Sequence, residues 1–219
     1  MGLILNKNID DTAILVWTID QPIEWFIQEL EFSSDLLKKF QAAYSNPKSQ
    51  RHWLASRYAL KHIWGINWQD LIRTESRRLY WPNSKNYLSL SHSGDNIALV
   101  KSNLKTGIDI QIESPKLERI ASKFIAKKDL EQFQQHPNYK DILHIHWCSK
   151  EAMFKAYMKG QVKFIEHLHL IDLDLENLEK GQCKGLLSKP NEQENYSIFH
   201  QKLANYWLAV VMHQAATIA

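Results

Sequence analysis

Two ten-residue stretches of the chain lie against each other without a gap, and they limit the folds open to it. His52-Trp53-Leu54-Ala55-Ser56-Arg57-Tyr58-Ala59-Leu60-Lys61 matches His146-Trp147-Cys148-Ser149-Lys150-Glu151-Ala152-Met153-Phe154-Lys155 at both ends. Each stretch carries the wide apolar stripe of a buried helix, and each runs to a glycine, Gly65 or Gly160. Each is followed later by a strand–turn–strand that begins at a tyrosine. The echo predicts an α/β (α+β) chain of two related halves, residues 1–105 and 106–219, with a cleft between them. At the matching position the halves carry opposite charge, Arg57 and Glu151. Such a cleft would be basic on one wall and acidic on the other, which suits a magnesium–polyphosphate complex.

Composition narrows the function. A length of 219 residues is enough for a proper core, and 44% hydrophobic with 23% charged residues excludes a disordered chain. The apolar run Tyr206–Met212 is far short of the ~20 residues of a membrane span. The first ten residues, MGLILNKNID, show neither a charged leader nor a cleavage site, and Asn6 stands where a myristoylation motif needs Ser or Thr. Cys148 and Cys183 have no zinc spacing and form no disulfide framework. A cytoplasmic monomer is the expectation. The net charge of +3 is too small to imply nucleic acid and compatible with an anionic substrate. With seven glycines and no glycine-built phosphate loop, any phosphate must be held by side chains and helix ends.

Periodicity predicts a strand over residues 12–19, a helix capped near Ser33 and running to Tyr44, and helices from about Ser49 to Trp64 and from about His144 to Met158. Asn86–Lys101 reads as a hairpin turning at Ser93-Gly94-Asp95-Asn96, with His92 and Ser93 at its mouth. Residues 168–175 read as a strand, Tyr196–His200 with Tyr206–Met212 as a second hairpin, and Gly181–Glu194 as a polar connection. The strand Gly107–Glu113 alternates strictly: Ile108, Ile110 and Ile112 on one face, Asp109, Gln111 and Glu113 on the other. An acid on a strand that buries three isoleucines is solvated, paired or metal-bound. On the later helix, Glu151 and Lys155 are four apart and share a face with Trp147. They read either as a solvated ion pair or as a pair in a cleft.

The set in order is Arg51, then Leu88-x-Leu-Ser-His-Ser-Gly94, then Gly107-Ile-Asp-Ile110, then Trp147-x-Ser-Lys-Glu-Ala-x-x-Lys155. It resembles the Sfp-type 4′-phosphopantetheinyl transferases of the holo-acyl-carrier-protein synthase superfamily. The resemblance implies a pseudo-dimer that moves the phosphopantetheine arm of coenzyme A onto a serine of an acyl or peptidyl carrier protein. Adenosine 3′,5′-bisphosphate is released, and CoA and Mg2+ lie between the halves. Carried over by motif, Asp109, Glu151 and Lys155 are the catalytic set, and Asp109 and Glu151, with Gln111 beside them, the metal set. Arg51, Ser91, His92 and Lys155 would contact CoA, with Arg78 a loose match to a basic residue of the same site. Gln111 departs from the pattern, since the family often has Glu there; an amide can ligate or hold a metal-bound water but adds no charge. Glu113 sits too far along the strand to be a ligand. The alternative is a non-catalytic module that holds CoA or a carrier, for which Gln111 is the support.

Overall fold

A computed structural model describes residues 2–74, 79–82 and 84–214. The first strands, β1 (Gly2–Ile9) and β2 (Thr12–Thr18), form a hairpin turning through Asp10 in the left-handed region (φ 47°). Helices α1 (Ile23–Glu29), α2 (Ser34–Ala43) and α3 (Pro47–His62) follow. Ser33 caps α2 by accepting from the Leu36 N–H, and Asn46 caps α3 by accepting from the Lys48 and Ser49 N–H groups, with Pro47 in the first turn. A small ribbon, β3 (Ile72–Arg73) with β4 (Leu79–Tyr80), leads to the hairpin β5 (Tyr87–Ser93) and β6 (Asn96–Ser102). The antiparallel order β1-β2-β6-β5 makes a four-stranded sheet.

The chain then begins a second sheet with β7 (Thr106–Ile112). Helices α4 (Lys116–Ile120), α5 (Lys127–Phe133), α6 (Tyr139–Tyr157) and α7 (Phe164–His167) precede β8 (Leu168–Ile171), β9 (Lys180–Lys189), β10 (Glu192–Leu203) and β11 (Tyr206–Gln214). The antiparallel order is β7-β11-β10-β9-β8. Among the described residues this is a mixed α+β fold with two large sheets and seven α-helices. None of the helices is long and apolar enough to cross a membrane.

Period two sets the layers. In the first sheet, Ile14, Val16, Ala98 and Val100 face the second sheet, where Ile108, Ile110, Leu208 and Val210 meet them in one apolar cluster. Leu15, Trp17, Ile97 and Leu99 face the other way, onto Leu54, Ala55 and Tyr58 of α3. Trp207, Ala209 and Val211 likewise face Cys148, Ala152 and Met153 of α6. The order of layers is therefore helix, sheet, sheet, helix. Ile108 and Ile110 are essentially fully buried, each contributing about 1.5–3 kcal/mol.

Two expectations fail here. Gly181–Glu194 is not a loose connection: it holds β9, the turn and the start of β10, paired in register from Lys180↔Gln201 to Lys189↔Glu192. Its pattern is hard to see because Gly185 takes an inward position, and an added Cβ there would meet Ile198 and Met153 at 2.9 Å. The strand expected over residues 168–175 stops at Ile171, where Asp172 turns left-handed (φ 59°). Helix α6 also starts earlier than expected, at Tyr139.

Candidate active site

The site begins with a close approach. Helix α6 crosses β7 so tightly that a Cβ on Gly107 would lie 2.0 Å from the Ala152 carbonyl oxygen and 2.9 Å from the Ala156 nitrogen. Only glycine fits that contact. Two residues along the same face of β7, Asp109 is thereby brought to the helix turn that carries Glu151 and Lys155. The Lys155 Nζ donates to Asp109 Oδ1 at 2.7 Å and to the Ile108 carbonyl at 2.8 Å. Two of its three donors are used.

On the other side of β7 runs β5, whose serines stitch the two sheets together. The Ile108 N–H donates to Ser89 Oγ at 3.3 Å and the Ile112 N–H to Ser93 Oγ at 2.9 Å. Between them Ser91 Oγ donates to Asp109 Oδ1 at 2.6 Å. Side-chain hydroxyls thus serve the edge of β7 that points away from β11. Asp109 is 7% exposed and Ser91 6%.

Glu151 is half-buried, and its carboxyl pKa is pushed up to about 7. Desolvation is the largest cause and the charge of Asp109 the second, while Lys155 opposes both. Two acids, one from the sheet and one from the helix, therefore act on each other, with one ammonium acting on both. Cys148, one turn below, is no nucleophile: burial first, then Asp109, pushes its thiol well above the usual range.

Glu151 and Lys155 line a cleft of about 490 Å3. Its other walls include Leu88 and Leu90 of β5 and the aromatic rings of Tyr80, Trp81 and Tyr87. The cleft is thus built from elements on both sides of residue 105. His92 stands at the far end of β5, exposed at the hairpin mouth. Desolvation, then His52 and Lys155, push its pKa down to about 4; contact with water softens the effect. Arg51 of α3 reaches the same mouth, donating to the Ile19 carbonyl at 2.7 Å and pairing with Asp95 at 3.4 Å.

The structure thus brings Asp109, Ser91, Lys155 and Glu151 together and places His92 and Arg51 at one end of them. Gln111 is half-buried, with its amide N–H turned to the Ile112 carbonyl at 3.2 Å. Arg78 lies outside the described residues. Arg57 supplies no basic wall: it is 5% exposed, packed over the Trp53 ring at 4.5 Å and bonded to Ser56. Glu113 pairs with Lys202 at 2.9 Å. Sequence reasoning missed the bridging roles of Ser89 and Ser93, although serine at alternate positions 89, 91 and 93 was a legible signal.

Comparison with known proteins bears on the same stretch of chain. Residues 105–211 match the family model described as the 4′-phosphopantetheinyl transferase superfamily. The chain resembles that superfamily. Over 103 residues it is 30% identical to a Haemophilus influenzae protein named "Putative 4'-phosphopantetheinyl transferase", covering 44% of this chain and 44% of that protein. The chain therefore spans less than half the length of this curated relative. The superfamily match contains Asp109, Gln111, Glu151 and Lys155, whereas Arg51, Ser91 and His92 lie before it.

Proposed function

We propose that this protein is a 4′-phosphopantetheinyl transferase that moves the phosphopantetheine arm of coenzyme A onto a serine of an acyl or peptidyl carrier protein, releasing adenosine 3′,5′-bisphosphate. The observation that carries the proposal is the meeting of Asp109 from β7 with Glu151 and Lys155 from α6 beside an open cleft. The two halves, 1–105 and 106–219, are read as related by duplication. In each, one strand (β2 or β7) precedes the main helix (α3 or α6), and the closing hairpin returns its last strand (β6 or β11) to pair with it. That arrangement supports a pseudo-dimer with its site between the halves.

The residues fit a divalent cation. Burial first, and then the charge of Asp109, push the Glu151 carboxyl up, and Lys155 is the cation that opposes them. Among the described residues no three His, Cys, Asp or Glu side chains form a ready cage. Mg2+ does not need one, since it commonly uses one or two carboxylates with waters and substrate phosphates. Asp109 and Glu151 would hold it, and Gln111, with its amide N–H on its own strand, would contribute through Oε1 or a water. When bound, the ion would neutralise charge on the pyrophosphate.

The chain's own groups do the rest. Lys155 has a donor to spare for a pyrophosphate oxygen, where charge grows as the bond breaks. His92 and Arg51 would bind the anionic groups of CoA at the hairpin mouth. Glu151, kept ionised by the cation when one is bound, would be the base for the carrier serine proton, directly or through a water. Ser91 would have a role beyond the motif expectation: its buried hydroxyl donates to Asp109 and would orient that carboxylate.

The test is incubation with CoA, Mg2+ and a panel of apo carriers, read by mass spectrometry. A gain of one phosphopantetheine group on a carrier serine supports transfer. Gln111 favours one other reading, a module that holds CoA without transferring it. Such a module would bind CoA in calorimetry and leave every carrier mass unchanged.

A further inference from the structure

His52 opens the repeated stretch but belongs to none of the transferase motifs, yet it touches the site. It follows Arg51 on α3 and is 7% exposed. Its ring lies nearly parallel on the ring of His92, with centroids 4.1 Å apart and planes 18° apart. Its Nε2 is 2.9 Å from the Gly94 carbonyl oxygen. A carbonyl only accepts, so that nitrogen carries the proton. One side chain from the first half thus makes two contacts with the β5–β6 hairpin: one on the face of His92, the other on the backbone two residues later.

The second contact falls on a turn already held elsewhere. Gly94 is left-handed (φ 57°), and a Cβ there would lie 2.4 Å from the Tyr206 hydroxyl. Asp95 accepts from the Ile19 N–H at 2.7 Å through its backbone oxygen and pairs with Arg51 through its carboxylate. The backbone under His92 is therefore fixed. The ring of an exposed histidine is not, because its terminal torsion is broad. The stack removes that freedom before any ligand arrives, which is how preorganisation raises affinity.

We propose that His52 is a positioning residue for His92, its stacked ring and its bond to Gly94 together holding the His92 imidazole ready for an anionic phosphate group of CoA. The proposal rests on the transferase reading and adds to it a residue the motifs do not contain. It differs from a packing role because His52 acts through His92 alone.

A double-mutant cycle reads this directly. His52→Ala should lower kcat/KM for CoA on the order of tenfold, the loss of about one aromatic stack. The same substitution should cost nothing further in a His92→Ala background. His52→Phe keeps the ring and should recover most of the loss. An equal loss on both backgrounds, or no recovery with Phe, overturns the proposal. If His52→Ala does not fold, His52→Gln takes its place in the cycle.

A second arm does not depend on turnover. The His92 ring proton, identified by its disappearance in His92→Ala, should be shifted upfield in the wild type and in His52→Phe and should move downfield in His52→Ala. Adenosine 3′,5′-bisphosphate should bind more weakly to His52→Ala in step. An unmoved ring proton or unchanged affinity overturns the positioning role. Wild-type protein that transfers nothing to any carrier counts against the transferase reading instead, and the ring shift then decides the positioning role separately.

Discussion

Asp109 receives one hydrogen bond from Ser91 and one from Lys155 on the same oxygen, and after burial its charge is the next cause of the raised Glu151 pKa. Each neighbour makes a distinct prediction. Asp109→Ala and Glu151→Gln should each abolish carrier modification in the mass assay, since each removes charge from the proposed cation site. Lys155→Ala should slow transfer roughly 10²–10³-fold, mainly in kcat, because its spare donor serves charge that appears in the transition state. Ser91→Ala should raise the magnesium requirement more than KM for CoA, which a magnesium titration at saturating CoA would show. At this scale the sequence could offer residue types but not partners. Asp109, Glu151 and Lys155 stand in local patterns legible by spacing. The donation from Ser91 to Asp109 and the stack of His52 on His92 join residues 18 and 40 positions apart in the chain, and no local pattern encodes them.

The contact between β7 and α6 is where local structure becomes a site. Gly107→Ala should push the helix off the strand, destabilising the protein by about 1–3 kcal/mol or more and lowering transfer with it. Urea unfolding and the mass assay together would show both. Helix α6 also carries a pH signature. His146 is 8% exposed, and burial first, then Lys150, pushes its pKa down to about 3. Its folded value lies below its unfolded one, so the unfolded chain binds the proton more tightly. The neutral ring's contribution is complete above about pH 6.5 and is lost as pH falls toward the folded value. The urea midpoint should therefore fall between about pH 7 and about pH 5, and His146→Phe should flatten that dependence. Elements with strong periods, such as β2, α3, β7 and α6, were visible in the sequence. Strand β9 was not, because Gly185 sits at an inward position and the exposed positions are polar, so the stretch reads as a loop.

The whole molecule is two sheets sharing one apolar interface, with Ile14 and Val16 packed near Ile108 and Val210. Sheets joined this way should unfold together: tryptophan fluorescence and far-UV circular dichroism should give one coincident transition. The echo between α3 and α6 pointed to two halves. It misled over Arg57, which matches Glu151 in position but is buried, packed over the Trp53 ring. Charge at an echoed position predicts the helix face, and the packing of each half then decides where that face looks. The central claim is that Asp109 and Glu151 grip one divalent ion against the diphosphate of CoA while a carrier serine attacks. The most direct measurement is the mass of an apo carrier after incubation with the protein, CoA and Mg2+, in parallel with Asp109→Ala and with chelator. The account predicts a gain of one phosphopantetheine group with the wild type and none in the other two. An unmodified carrier across the whole panel, or full modification by Asp109→Ala, would contradict it.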